Sequence, residues 1–121
     1  MSNKSTLFFA FLIMFFCACS AENNNQRIVV TWQGISWKVK GQQSGRNASD
    51  VTFEFKPDDS YSASFGTQKE EGTYRLAENK LYTTAKGQAQ KMVQVTLLST
   101  DTLIMDMNRV GTLEELILVK Q

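Results

Sequence analysis

The chain predicts an all-β fold: an eight-stranded antiparallel up-and-down meander closed into a small barrel and preceded by a signal peptide. Three observations carry this. Period-two alternation of apolar and polar residues recurs from Arg27 to the end, and no stretch there keeps helical periodicity over three turns. Turn residues punctuate that alternation roughly every 8–12 residues, the spacing at which neighbours in sequence become neighbours in space. The length of 121 residues allows at most one domain once a leader is set aside.

The leader comes first. Met1 to Ser5 carries one Lys, and Leu7 to Ala18 (LFFAFLIMFFCA) is an unbroken apolar run that meets Ser20-Ala21-Glu22-Asn23-Asn24-Asn25 at once. This is the layout of a secretory signal, and the run is well short of the ~20 residues a membrane-spanning helix needs. Polar flanks and the lack of an amphipathic face argue against a buried core helix. Phe16-Cys17-Ala18-Cys19 resembles the lipobox of bacterial lipoproteins, with a small residue directly before a cysteine and bulkier apolar residues upstream. Cys17 occupies a position where Ala, Ser or Thr is commoner, and an ordinary signal peptide cut nearby is the alternative. The resemblance implies a signal peptide over residues 1–18, lipidation at Cys19, a flexible tether to residue 26 and a barrel domain over 27–121. Several acyl chains at about 0.8 kcal/mol per buried CH2 make such an anchor effectively permanent. The expected location is a bacterial cell envelope, with the lipid anchor in the outer membrane on its periplasmic or surface side, a placement with which Ser20 rather than Asp after the cysteine is compatible.

The strands follow in order. Arg27 to Gln33 reads as an extended lead-in joined at Gly34 to a strand in which Ile35, Trp37 and Val39 form the apolar face. Gly41 to Asp50 is the one long polar loop, long enough to cover a barrel mouth. Val51, Phe53 and Phe55 then alternate with Thr52, Glu54 and Lys56, and Pro57-Asp58-Asp59-Ser60 turns into Tyr61 to Phe65. Further strands are expected at 72–76, 80–84, 91–98, 102–107 and 113–120. Closure into a barrel would remove the unpaired edges of an open sheet, and a flattened sandwich or half-open barrel of the same strands is the alternative.

Composition removes several classes of function. The chain has no His, and its two cysteines, Cys17 and Cys19, both lie in the leader region. Triads that need His, thiol nucleophiles in the domain and the usual zinc sites are therefore excluded. Setting aside residues 1–18 also removes Lys4, which leaves 12 basic against 12 acidic residues. A formally neutral chain without a basic cluster does not suit nucleic acid. The acidic pairs Asp58-Asp59, Glu70-Glu71 and Glu114-Glu115 do not form a catalytic pair, because strand neighbours point to opposite faces and turn carboxylates are solvated. Asp106 and Arg75 are expected to face outward, and a register slip of one would turn Arg75 inward. No enzyme activity, cofactor or metal is expected.

Four segments, taken together, resemble the lipocalin-like domains of small secreted lipoproteins of the Bacteroidetes. Trp37-Lys38-Val39 is similar to their first-strand W-K-L. Phe55-Lys56-Pro57-Asp58-Asp59-Ser60-Tyr61 is similar to their F-x-x-D-G-T-F hairpin, with Asp59 where Gly is usual. Gly72-Thr73-Tyr74-Arg75-Leu76 with Asn79-Lys80-Leu81 resembles G-T-W-x-L then N-x-L, and Leu98-Ser99-Thr100-Asp101-Thr102-Leu103 resembles the later L-T-D-T-L hairpin. The family start is G-x-W, whereas Gly34-Ile35-Ser36-Trp37 holds one residue more. The resemblance implies a lipocalin-like barrel, a calyx, and binding of a small apolar molecule. Tyr82-Thr83-Thr84-Ala85-Lys86-Gly87 loosely resembles a hairpin of envelope lysozyme inhibitors, but its spacing differs and it reads as a solvated turn.

The expected inner face comprises Trp37, Val39, Phe53, Phe55, Tyr61, Phe65, Tyr74, Leu76, Leu81, Val93, Val95, Leu97, Leu103 and Met105. Trp37, Phe53, Tyr61, Tyr74 and Met105 are the candidate ligand-binding residues, offering an apolar and aromatic lining with hydroxyl and indole N–H groups to orient a guest. The same residues would equally fill the interior of a barrel with short strands, since eight strands leave a lumen that side chains can occupy. Two functions are therefore expected to compete. One is a membrane-anchored lipoprotein whose barrel binds a small apolar or aromatic ligand. The other is a filled-barrel interaction or inhibitor module of the envelope, its protein partner unspecified.

Overall fold

The computed structural model describes residues 24–121, so the expected signal segment, Cys19 and the first part of the tether lie outside the described residues. The strands are β1 Thr31–Val39, β2 Gln42–Gln43, β3 Val51–Phe55, β4 Ser60–Phe65, β5 Gln68–Ala77, β6 Lys80–Ala85, β7 Lys91–Ser99, β8 Thr102–Arg109 and β9 Thr112–Lys120. Each pairs antiparallel with its neighbour in sequence, apart from β3, which pairs with β1. The sheet closes by pairing β1 with β9 from Trp32↔Lys120 to Val39↔Glu114. Because β2 is only a two-residue return against the end of β1, the wall is the eight-stranded meander expected, and it is closed rather than half open. All nine strands lie between Thr31 and Lys120, so a chain of residues 20–121 carries the whole barrel.

The first strand departs from its simple alternation. The β1–β9 register shifts between Gly34 and Ser36, a bulge that absorbs the extra residue of Gly34-Ile35-Ser36-Trp37. Trp32 and Gly34 face inward before it, Trp37 after it, and Ile35 is 58% exposed. Ile35 therefore leaves the apolar face to which period two assigns it, because an inserted residue reverses the alternation. Gly34 sits against the 3-10 turn Ala48–Asp50 of the long loop, where a Cβ would collide with the Ala48 carbonyl oxygen.

One end of the barrel is closed. A 3-10 turn, Asn24–Ile28, packs there against β5, and the Trp32 indole Nε1 donates to the Ile28 carbonyl at 3.0 Å. Asn25, expected to be part of a solvated tether, is buried. Beyond Thr73, β5 has no further strand partner on its β4 side; Tyr74 N still donates to the Asp59 carbonyl at 3.0 Å, and the backbone groups that follow are left to satisfy. Asn25 Oδ1 accepts from Leu76 N at 2.7 Å, while its Nδ2 donates to the Tyr74 carbonyl at 3.2 Å and to Asp59 Oδ1 at 2.8 Å. The asparagine thus finishes the edge that strand pairing leaves open.

The core runs along the lumen. Of the expected inner face, Val39, Phe65, Val93 and Leu97 are partly buried against the core and the others are buried. Ile28, Trp32, Val51, Leu116 and Leu118 join it. Asp106 and Arg75 face outward as expected, the Arg75 guanidinium lying 4.4 Å from the centre of the Tyr82 ring.

The hairpin joining β8 to β9 carries a conformational fault. Val110 and Gly111 are its two loop residues, with φ of 51° and 84°. Positive φ at both positions suits Asn-Gly, whereas a β-branched residue there is strained. Val110 is fully exposed and loses no packing when replaced. Val110→Asn is expected to stabilise the fold by about 1 kcal/mol, read as a rise of roughly 4–8 °C in Tm for a domain of this size.

Candidate functional site

The other end of the barrel is open, and a cavity of about 650 Å3 leads inward from it. Its depth is apolar: Trp37, Phe53, Phe65, Leu81, Val93, Met105, Met107 and Leu116 contribute to the wall. Phe53 and Phe65 meet edge to face with centroids 5.6 Å apart. Its rim is polar, with Arg46, Gln68, Glu70, Thr83, Lys91, Asn108 and Arg109. Strand alternation puts most of these groups there, because the inward row of each strand runs from the closed end to the mouth, while Arg46 comes from the long loop.

Of the five candidate residues, Trp37, Phe53 and Met105 line this cavity. Tyr61 and Tyr74, expected to share it, do not. Tyr61 is buried in the wall and its hydroxyl donates to Glu70 Oε2 at 2.6 Å. Tyr74 packs toward the closed end, its ring 4.8 Å from Phe55 and its hydroxyl donating to the Lys56 carbonyl at 2.9 Å. Burial, reinforced by Glu70, pushes the Tyr61 phenol well above its ordinary range. Burial, followed by the charges of Asp59 and Asp58, pushes Tyr74 up to about 12.

Both phenols are therefore held neutral in the folded chain, so their contribution is complete below pH 10 and declines as pH rises toward and through their folded values. Tm is expected to hold steady from pH 7 to about 9 and fall above 10. Tyr74→Phe should flatten that fall, and an unchanged alkaline slope in both Tyr→Phe variants would count against the assignment.

Two carboxylates at the mouth are not the solvated groups that composition implies. The region 66–71, which falls between two of the expected strands, is largely strand, and β5 begins at Gln68, which brings Glu70 to the inner row. On β9 the inward row runs Leu118, Leu116, Glu114, so Glu114 is 5% exposed while Leu113 is 63% exposed. This inverts the usual placement of apolar and charged residues at one strand end, a local inconsistency of the kind found at functional sites. The buried carboxylate is partnered. Trp37 Nε1 donates to Glu114 Oε1 at 2.8 Å, Arg46 Nη1 stands 3.9 Å from Oε1, and Arg109 Nε stands 3.8 Å from Oε2.

Arg46 belongs to the long loop 41–50, expected to cover a mouth. The loop reaches the rim because Ser44 N and Oγ both donate to the Trp37 carbonyl, at 3.1 and 2.8 Å. The Arg46 guanidinium then lies 5.1 Å from the centre of the Trp37 ring. A second hollow of about 480 Å3 lies at the closed end beside Arg27, Ile28, Glu78 and Thr96. It is smaller and holds no comparable cluster of paired charge.

A closed antiparallel barrel with an apolar cavity open at one end has the build of a binding calyx. The chain belongs to the lipocalin-like domain family, whose model matches residues 28–105. Two solved structures share the fold. A lipocalin-like protein from Bacteroides uniformis superposes with a TM-score of 0.59 at 18% identity, covering 78% of this chain and 99% of that one. An uncharacterized protein from Bacteroides eggerthii does so with a TM-score of 0.56 at 13% identity, covering 77% and 98%. Among curated proteins none matches the chain significantly.

Proposed function

We propose that this protein is an envelope lipoprotein, anchored through Cys19, whose barrel holds one small and largely apolar molecule in the mouth cavity. The observation that carries the binding reading is the cavity itself. Its volume of about 650 Å3 falls within the 300–1,000 Å3 of typical small-molecule sites. An aromatic and aliphatic wall below a few convergent polar groups is the usual make-up of such sites. A filled barrel acting only through its surface is the weaker reading, since its interior would be packed where this one is open. The reading is of a carrier or sensor and not of an enzyme.

Native mass spectrometry of residues 20–121 purified from the protein's own host tests the binding half. A co-purifying small molecule is expected, together with a change in Trp37 emission when it is removed. A ligand-free protein whose emission no lipid or aromatic compound alters would defeat it. The anchoring half is tested by radioactive palmitate, which should label the wild type and not Cys19→Ala. Labelling that survives the substitution would defeat export and lipidation at that residue.

A further inference from the structure

We propose that the guest of the mouth cavity is a single-chain amphiphile with one negative charge, its chain in the apolar interior and its anionic group at Arg109, Lys91 and Arg46. This inference rests on the binding reading above and specifies the chemistry of that site.

The rim holds three cations, Arg46, Lys91 and Arg109, and Glu70 beside them, with Glu114 immediately behind. The two carboxylates are already engaged by donors built into the wall, Glu70 by the Tyr61 hydroxyl and Glu114 by the Trp37 indole. The cations are not engaged in the same way. Arg46 and Arg109 stand 3.9 and 3.8 Å from Glu114, beyond hydrogen-bonding distance. Their guanidinium N–H donors make no hydrogen bond among the described residues, and Lys91 has no ion-pair partner among them. Three cations against two carboxylates leave one positive charge unbalanced at the edge of an apolar space.

One anionic group placed there balances the rim and gains charge-assisted hydrogen bonds from planar guanidinium forks suited to an oxyanion. A cationic head would meet three like charges, and an uncharged head would leave the donors with water alone. Below the rim, Phe53, Leu81, Met105 and Met107 supply an apolar wall in which the unbranched methionines adapt to a chain. The volume suits one chain rather than a bulky multi-chain lipid.

Residues 20–121 are titrated with decanoate, decanol and decyltrimethylammonium, each below its aggregation limit, by calorimetry and by Trp37 emission. The three probes share a tail and differ in charge. Decanoate is expected to bind about tenfold more tightly than decanol, with the ammonium weakest and the preference shrinking as salt is added. In the double variant Arg109→Gln, Lys91→Gln the ratio of decanoate to decanol affinity should fall toward one, whereas Arg109→Lys should keep part of it. Equal wild-type affinity for decanoate and decanol, or a preference that survives the double substitution in a protein of unchanged Tm, would overturn the charge assignment and leave the binding reading standing. If none of the three binds, the amphiphile assignment is overturned, and the native mass spectrum decides the binding reading separately. The wild-type comparison decides the matter even where a variant fails to fold.

Discussion

Trp32→Ala is expected to cost about 3–5 kcal/mol, the range for deleting a large aromatic from a well-packed interior. That is a large share of the 5–15 kcal/mol that separates folded from unfolded states in domains of this kind. Trp32 is 1% exposed and holds the terminal 3-10 turn through its bond to the Ile28 carbonyl, so its loss also leaves that acceptor without its donor. Urea titration followed by far-ultraviolet circular dichroism measures the change. Trp37→Ala should cost a similar amount, because it deletes a core aromatic and also leaves the buried Glu114 carboxylate without its indole donor. A loss below about 1 kcal/mol for Trp32→Ala would mean that the closed end contributes little to the fold.

Gly72→Ala is expected to cost about 3 kcal/mol, more than its single added methyl suggests. Gly72 faces Tyr61 on one side and Ala85 on the other, in the inward row of β5. A Cβ there would run into the Thr84 carbonyl oxygen and come within 2.8 Å of the Ala85 Cα. Both obstacles are backbone, so no rotamer change relieves them, and β6 would have to move away from β5. Comparison of thermal melts for Gly72→Ala and Gly72→Ser, which add similar bulk at the same atom, checks the cause. Both should fall together, whereas an Ala variant as stable as the wild type would show that the strands separate freely.

Most of the wall was legible because most of its strands alternate over their central residues and are set off by turns with recognisable chemistry, such as Pro57-Asp58-Asp59. Gly72 stood out in a sequence motif, and its close approach to β6 gives that motif a physical reason. Trp32 was not legible as core, since the bulge at Ile35 reverses alternation and a period-two reading started at Trp37 cannot be carried back through it. Asn25 looks like tether by composition, and its role exists only because the edge of β5 it meets has no strand partner. Glu114 could have been found: stepping back two residues from Leu118 and Leu116 lands on it, but a carboxylate beside a hairpin reads as solvated. Whether the lumen is open lay beyond the sequence, because aromatic rows of the same pattern can either meet or leave a gap between them.

The chain enters the described barrel at Asn24, on the closed end, and the cavity opens at the opposite one. An acyl anchor on Cys19 would leave five Cα-to-Cα steps to Asn24, a reach of at most about 18 Å. Such a short leash would give an anchored molecule a polarity with respect to the bilayer. The sealed base would be held toward the membrane, and the charged rim would look outward into the aqueous space. A guest would then arrive from that space, or from a partner facing the rim, and not from the leaflet in which the protein is rooted. Lengthening the leash by inserting flexible residues after Ser20 would relax this polarity while leaving the barrel unchanged.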